Sequence, residues 1–346
     1  MKHSRNVLVL CGGKWVGMTI QLKEAMGKVE LLRDGLLIVA DKAEVTPAGV
    51  FADRSVTVPP ISDPTYIDNL LELCVNWGIR VIVPLIDLDL ERLSSHLYLF
   101  DEIGVSVVCP SEALVDLCMD KVLFRQFVLA ESLPYPMTYG PDELETAAYP
   151  LFYKPTRGYG SRNTGVCKSY MEAKRLLREW PDLIFQEYLS GDEVSVDGYI
   201  SVSGEPLLCV PRKRDKIVGG EAYQSHTIQS DTAYDLALQT MRALAKRGLH
   251  GPVNIQMFLT GKGPYLIEVN TRLGSASVLS NVATHGKLFE YVLEEACGIP
   301  CTGEPYSYVR DLALYRFLGD LFYKGPNIVK VVPLTKDENS GKSCLV

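Results

Sequence analysis

The feature that most restricts how this chain can fold lies between residues 253 and 272. Val253-Asn254-Ile255-Gln256-Met257-Phe258-Leu259 leads through a short Gly261-Lys262-Gly263 turn into Tyr265-Leu266-Ile267-Glu268-Val269-Asn270-Thr271-Arg272. Both runs alternate as β-strands do, and the turn between them is short and glycine-rich, so the pair reads as an antiparallel hairpin. Successive side chains point to opposite faces, which predicts Ile255, Met257, Ile267 and Val269 on an apolar side and Asn254, Gln256, Glu268 and Asn270 on the other. A three-residue loop sets Gln256 opposite Glu268. Four oxygen-bearing side chains then share one patch of a strand pair that is otherwise core-like, and each would cost about 1–3 kcal/mol if buried without a partner. A hard divalent cation carrying phosphates meets that need, because Mg²⁺ takes oxygen ligands and binds through one or two carboxylates plus substrate phosphates. The same alternation also describes a hairpin whose polar face meets water.

A chain of 346 residues has room for two or three domains and a large core. Its 47% hydrophobic and 22% charged residues are those of an ordinary soluble protein. Lys and Arg number 35 against 42 Asp and Glu, a net charge of −7, which argues against nucleic-acid or anionic-membrane binding and leaves room for a local phosphate pocket. Nine scattered cysteines without a C-x-x-C pair fit reduced thiols better than disulfides or a zinc site. The run Val7–Leu10 is too short for a signal segment, and no run approaches the roughly 18 apolar residues of a membrane span. The expected location is the cytoplasm.

The first third alternates strands (Val7–Leu10, Leu36–Ala40, Ser55–Val58, Val81-Ile82-Val83-Pro84, Val105–Cys109) with helical stretches (Met18–Ala25, Thr65–Asn76), the pattern of a parallel, doubly wound sheet. The turn Cys11-Gly12-Gly13-Lys14-Trp15-Val16-Gly17, with Asp41 closing the second strand, invites comparison with a dinucleotide fold, but its spacing is not G-x-G-x-x-G. From Ser111 one helical segment is predicted through Asp120-Lys121 to about Glu131, ended by Leu133-Pro134-Tyr135-Pro136.

Three constellations carry chemistry. The loop from Arg157 to Gly165 holds three glycines, two hydroxyl residues and two arginines, with Lys154 on the strand entering it. Its backbone N–H groups could approach a phosphate closely, or it could be only a mobile hairpin tip. Gln186-Glu187 runs through Ser190-Gly191 into Asp192-Glu193, where backbone groups could meet a purine edge and Glu193 a ribose. Arg212-Lys213-Arg214, followed by Gly219-Gly220-Glu221 and Ser225-His226-Thr227, is either an anion patch or a solvated basic edge.

The order of Lys121, Lys154 with its glycine loop, Gln186-Glu187, Gly191-Asp192-Glu193, Gln256 and Glu268-Val269-Asn270-Thr271-Arg272 resembles the ATP-grasp superfamily, and within it the carbamoyl-phosphate-synthase-like carboxylate ligases. The resemblance covers nearly the whole chain, including Pro84-Leu85-Ile86-Asp87-Leu88-Asp89-Leu90, and Ile267–Gly286 is its most specific part. It implies an α/β protein: a Rossmann-like pre-ATP-grasp domain over residues 1–110, then a two-lobed α+β ATP-grasp module. The small lobe with its lid loop would span 111–189, and the large lobe with a metal site and C-terminal extension 190–346. By the same resemblance Lys121 and Lys154 bind ATP phosphates, Gly158, Gly160 and Ser161 belong to the lid, and His226 stands with the nucleotide set. Glu187 and Leu189 flank the adenine, and Glu193 meets the ribose. Gln256, Glu268 and Asn270 hold one or two Mg²⁺ ions, for which Mn²⁺ could substitute. Arg272, Lys154 and Arg214 are the implied catalytic cations.

The implied activity is an ATP- and Mg²⁺-dependent ligase joining a small carboxylate, such as an amino acid, to an amine through an acyl phosphate. Its partners would be small molecules only, with room for a homodimer. The chain has room for one module, which argues against a complete carbamoyl-phosphate synthase, which uses two. No bicarbonate motif is recognisable, and Thr271 stands where many relatives carry proline. Competing readings are an ATP-binding regulatory module without chemistry and a nicotinamide oxidoreductase.

Overall fold

The computed structural model describes residues 5–158, 163–317, 319–324 and 327–332. Strands β1 (Asn6–Leu10), β2 (Leu37–Asp41), β3 (Arg54–Thr57), β4 (Ile79–Pro84) and β5 (Ser106–Val107) form a parallel sheet in the order β3-β2-β1-β4-β5. Strands covered on both faces must be apolar throughout. Val7–Leu10 and Leu37–Ala40 are accordingly wholly buried, with Val7, Val9 and Val39 against helix α1 (Val16–Lys28) and α2 (Pro47–Phe51), and Leu8, Leu10 and Ile38 against α3 (Tyr66–Trp77). Strand order reverses between β1 and β4, which opens a crevice at their carboxyl ends. The glycine turn and Asp41 brace that edge: the Gly13 N–H donates to Asp41 Oδ2 at 3.2 Å, and a Cβ on Gly13 would lie 2.7 Å from the same oxygen.

Beyond α4 (Asp87–Ser94) and α5 (Leu97–Glu102), the single helix expected from Ser111 to Glu131 is two: α6 (Glu112–Met119) and α7 (Lys121–Ala130). Asp120 breaks it. Its backbone is extended, and its carboxylate accepts the N–H groups of Val122 at 2.8 Å and Leu123 at 3.1 Å, so a new helix starts and Lys121 becomes its first residue. Asp120→Ala is expected to cost about 1 kcal/mol, read as a lower urea midpoint with unchanged slope.

A second, antiparallel sheet has the order β6-β9-β7-β8, from β6 (Thr138–Tyr139), β7 (Leu151–Pro155), β8 (Gly165–Cys167) and β9 (Leu183–Glu187). It is backed by α8 (Tyr170–Glu179), which Ser169 caps. The third sheet, β14-β13-β10-β11-β12-β15, is built from β10 (Asp192–Ile200), β11 (Pro206–Val218), β12 (Glu221–Thr227), β13 (Gly251–Thr260), β14 (Gly263–Asn270) and β15 (Ala313–Tyr315). Its apolar face, with Val194, Val196, Ile255 and Met257, packs on α9 (Asp231–Ala245), each such buried side chain stabilising the fold by roughly 1.5–3 kcal/mol.

Gln256 pairs with Glu268 as expected, but the register then shifts and Met257 pairs with Leu266. Ile267 is the extra residue of a bulge, so Leu266 joins the core and Ile267, expected on the apolar side, lines the cleft instead. The loop shrinks to Gly261-Lys262, with Thr260 paired to Gly263. Helices α10 (Ser277–Ala283) and α11 (Lys287–Ala296) return to α1, where Lys28 Nζ donates to Glu290 Oε1 at 2.5 Å. Strands β16 (Asp320–Lys324) and β17 (Asn327–Val332) form a separate hairpin. No helix among the described residues is long and apolar enough to cross a membrane.

Candidate functional site

One cleft of about 780 Å³ runs between the two antiparallel sheets and onto the β1/β4 crevice. Its floor is the polar face of the third sheet. Strand register aligns Glu268, Gln256, Ser195 and Arg212 in one row across four strands, and Asn270, Asn254 and Asp197 in the next. The cross-strand periodicity read from the hairpin therefore extends over two more strands. Asn270 Nδ2 donates to Glu268 Oε1 at 3.3 Å, which leaves the Asn270 carbonyl oxygen free to accept or ligate.

Lys121 and Lys154 also line this cleft, although only 8% and 5% exposed. Lys121 Nζ donates to the Gly158 carbonyl at 3.3 Å. Lys154 makes no hydrogen bond or ion pair among the described residues. Burial pushes its ammonium down to about 8, with Glu268 opposing and Lys121 adding to the shift. Burial also lowers Lys121, and Glu268 is again the strongest opposing charge. Glu268 is thus the one carboxylate that both buried cations share, while Asp120 and Asp87 act on Lys121 alone, an arrangement that leaves room for an anionic ligand.

The remaining expected residues fall into three groups. Gly158, Glu187, Leu189, Glu193, Arg214 and Arg272 all line the cleft, but several are bound to other protein groups. Glu187 Oε1 accepts the Met137 N–H at 2.9 Å. Arg214 donates to Glu193, to Gln256 Oε1 at 3.3 Å and to the Gly220 carbonyl at 2.6 Å, so the residues expected on ribose and on phosphoryl are partners of each other. Arg272 is held by Asp87 through two bonds of 2.7 Å and donates to the Leu273 carbonyl at 3.2 Å, which ties this cleft residue to α4. His226 lies outside the cleft: it pairs with Lys213, which alternation puts on the sheet face opposite Arg212 and Arg214, and its Nδ1 bonds Asp215 Oδ2 at 2.7 Å. Gly160 and Ser161 lie outside the described residues.

In the sequence Arg212 stood out only as part of a basic run, and Asp197 not at all. Arg212 Nε donates to Asp197 Oδ2 at 2.8 Å and Nη2 to Oδ1 at 3.5 Å, while Asn254 and Ser280 each donate to Asp197 at 2.6 Å. The signal was present in Arg212-Lys213-Arg214, since alternation places the first and third cations on one face. Asp197 could not be found that way, because its partners are distant in sequence.

Family comparison defines the class. Residues 118–276 match the ATP-grasp domain model, and residues 7–108 match that of the PylC-like N-terminal domain. The chain therefore carries an ATP-grasp domain behind a PylC-like N-terminal domain. It is 26% identical over 241 residues to the carbamoyl phosphate synthase large chain of Clostridium acetobutylicum, covering 63% of this chain and 22% of that protein. It is 28% identical over 191 residues to the D-alanine–D-alanine ligase of Polaromonas naphthalenivorans, covering 46% and 57%. The chain thus spans less than two thirds of each of these relatives. Its fold superposes with a TM-score of 0.72 on the biotin carboxylase domain of Hydrogenobacter thermophilus 2-oxoglutarate carboxylase, solved with MgADP, ADP and bicarbonate. That match covers 89% of this chain and 72% of the other at 16% identity, a likeness of fold alone.

Proposed function

We propose that this protein is an ADP-forming, Mg²⁺-dependent carboxylate–amine ligase acting on a small carboxylate such as an amino acid. The observation that carries this reading is the pair of buried lysines, neither with an ion pair among the described residues, that share Glu268 as their opposing charge in the cleft. The D-alanine–D-alanine ligase relative and the MgADP held by the structural neighbour support it.

The donor set fits the metal. One carboxylate, Glu268, stands opposite the amide of Gln256 and beside that of Asn270, and among the described residues no cluster of three His, Cys, Asp or Glu could hold an ion unaided. A cation there needs phosphate oxygens to complete its shell, as Mg²⁺ with a nucleotide does. Bound there, Mg²⁺ would neutralise phosphate charge. Lys121 and Lys154 take the phosphates, and the Gly158 carbonyl holds Lys121 in place. Glu187 and Leu189 flank the base, and Glu193 faces the ribose while steadying Arg214. Arg272, tied to Asp87, positions the amino-terminal domain over the cleft. This reading divides the chain near residues 110 and 189.

In the first step a carboxylate oxygen attacks the γ-phosphorus and the bond to the β–γ bridging oxygen breaks, giving an acyl phosphate and ADP. The amine nitrogen then attacks the acyl carbon, loses a proton, and phosphate leaves. Charge crowding between two anions raises the first barrier, and fixed cations lower it. Purified protein given MgATP, an amino-acid panel and amine acceptors is expected to release ADP and phosphate with at least one pair, and Glu268→Ala is expected to release neither. Tight ATP binding without ADP release for any pair would replace the ligase reading with a binding module.

A further inference from the structure

Arg212 is 3% exposed and lines the cleft, yet its Nη1 is buried without a hydrogen-bond partner among the described residues. Its Nε and Nη2 are engaged by Asp197, itself held by Asn254 and Ser280, so the guanidinium is fixed and one N–H edge is left over. A donor this deeply buried is costly unless something accepts from it. Arg212 stands two strands from Gln256 and three from Glu268 in the same row, about 10 to 14 Å measured between backbones. A small molecule fits between them.

The surroundings say what kind of molecule. Arg316 donates to the carbonyls of Ala222, at 3.1 Å, and Ser275, which satisfy its N–H groups without neutralising its charge. Its guanidinium lies 5.5 Å from the centre of the Trp15 ring, and burial is the main influence disfavouring its charge, with the Glu221 carboxylate opposing that and Arg212 adding to it. Lys14 and Arg316 thus share one carboxylate, Glu221, while Arg212 has Asp197, so cations outnumber carboxylates by one around this end of the cleft. Facing it, the carboxyl ends of β1 and β4 present Trp15, Met18 and Ile86, an apolar wall at the point where strand order reverses. Open parallel sheets bind ligands at that crevice.

We infer that this end of the cleft is the acid-substrate subsite, with Arg212 Nη1 donating to the carboxylate and Trp15, Met18 and Ile86 taking an apolar or aromatic side chain. The inference rests on the ligase reading and deepens it: the acid is an apolar amino acid or a similar organic acid. The bidentate Asp197 partner fixes the guanidinium, so carboxylate recognition needs no rearrangement of Arg212.

The test is titration calorimetry with Mg²⁺ and the non-hydrolysable analogue AMP-PNP present, using L-phenylalanine and L-leucine as probes and their amides as matched ligands lacking a carboxylate. Wild type should bind each acid at least ten-fold more tightly than its amide. Arg212→Met combined with Asp197→Asn, which removes both charges of the buried pair, should abolish that preference while binding AMP-PNP within about two-fold of wild type. Should the double variant not melt cooperatively, Arg212→Lys decides: it keeps the ion pair, loses the rigid fork, and should weaken acid binding ten-fold. Acids bound no better than amides, or a preference that survives in a folded variant, overturns the subsite. Failure of wild type to bind AMP-PNP at all overturns the ligase reading instead.

Discussion

Lys154→Met is expected to reduce ADP release at least 100-fold while making the unliganded protein harder to unfold. The loss of activity follows from removing a buried cation aimed at developing phosphate charge, where single donors are worth about 10²–10³ in rate. The gain in stability follows from what burial costs that cation. Its proton affinity falls from 10.5 to about 8 in the folded protein, and at about 1.4 kcal/mol per unit this corresponds to about 3 kcal/mol. Below pH 8 folded and unfolded chains both hold the proton and the whole cost is present. Between pH 8 and 10.5 the unfolded chain binds more protons, so stability rises with pH. Denaturant unfolding at pH 7 and pH 10 should show the advantage of the methionine variant shrinking at the higher pH. Wild-type affinity for MgATP should weaken above about pH 8, since phosphate is held by the protonated form. A variant less stable than wild type at pH 7 would mean that Lys154 is already neutralised within the fold.

Glu268→Gln is expected to move stability the other way while also stopping turnover. The substitution keeps shape and removes the charge that most favours protonation of both Lys121 and Lys154. Two buried ammoniums then lack their common counter-charge. Such loss costs roughly 1–3 kcal/mol where relaxation and water soften it, and up to about 5 where they do not. ADP release should fall about 10²–10³-fold, and the Mg²⁺ concentration for half-maximal activity should rise. Added MgATP, if it still binds, should recover part of the lost melting temperature by supplying negative charge. Undiminished turnover would remove Glu268 from the metal site. Opposite stability changes from two substitutions that both silence the enzyme would be hard to obtain from any arrangement but a charge-unbalanced phosphate site.

Local rules made part of this legible. The period of two in β13 and β14 put Glu268 opposite Gln256, and the alternation of strands with helical stretches over the first third announced a parallel, doubly wound sheet. Where the reading strayed, the cause was a contact or a register step with no local signature. A bulge after Gln256 carried Ile267 across the sheet, and strand pairing placed His226 on the face away from Arg212. Asp120 broke a helix because its carboxylate prefers two free N–H groups to the middle of a helical turn.

Alternation by itself determined the parallel sheet and the row of oxygen donors, because side-chain direction in a strand follows from neighbours along the chain, whereas Lys121 entered only through the family resemblance. Only the tertiary structure decided which cations stay available. Arg272 meets Asp87 from 185 residues away, Arg214 meets Glu193, and Arg212 meets Asp197 with one N–H edge left over. Charge pairing inside a fold depends on distance in space, and packing brings carboxylates and guanidiniums together irrespective of their separation in sequence.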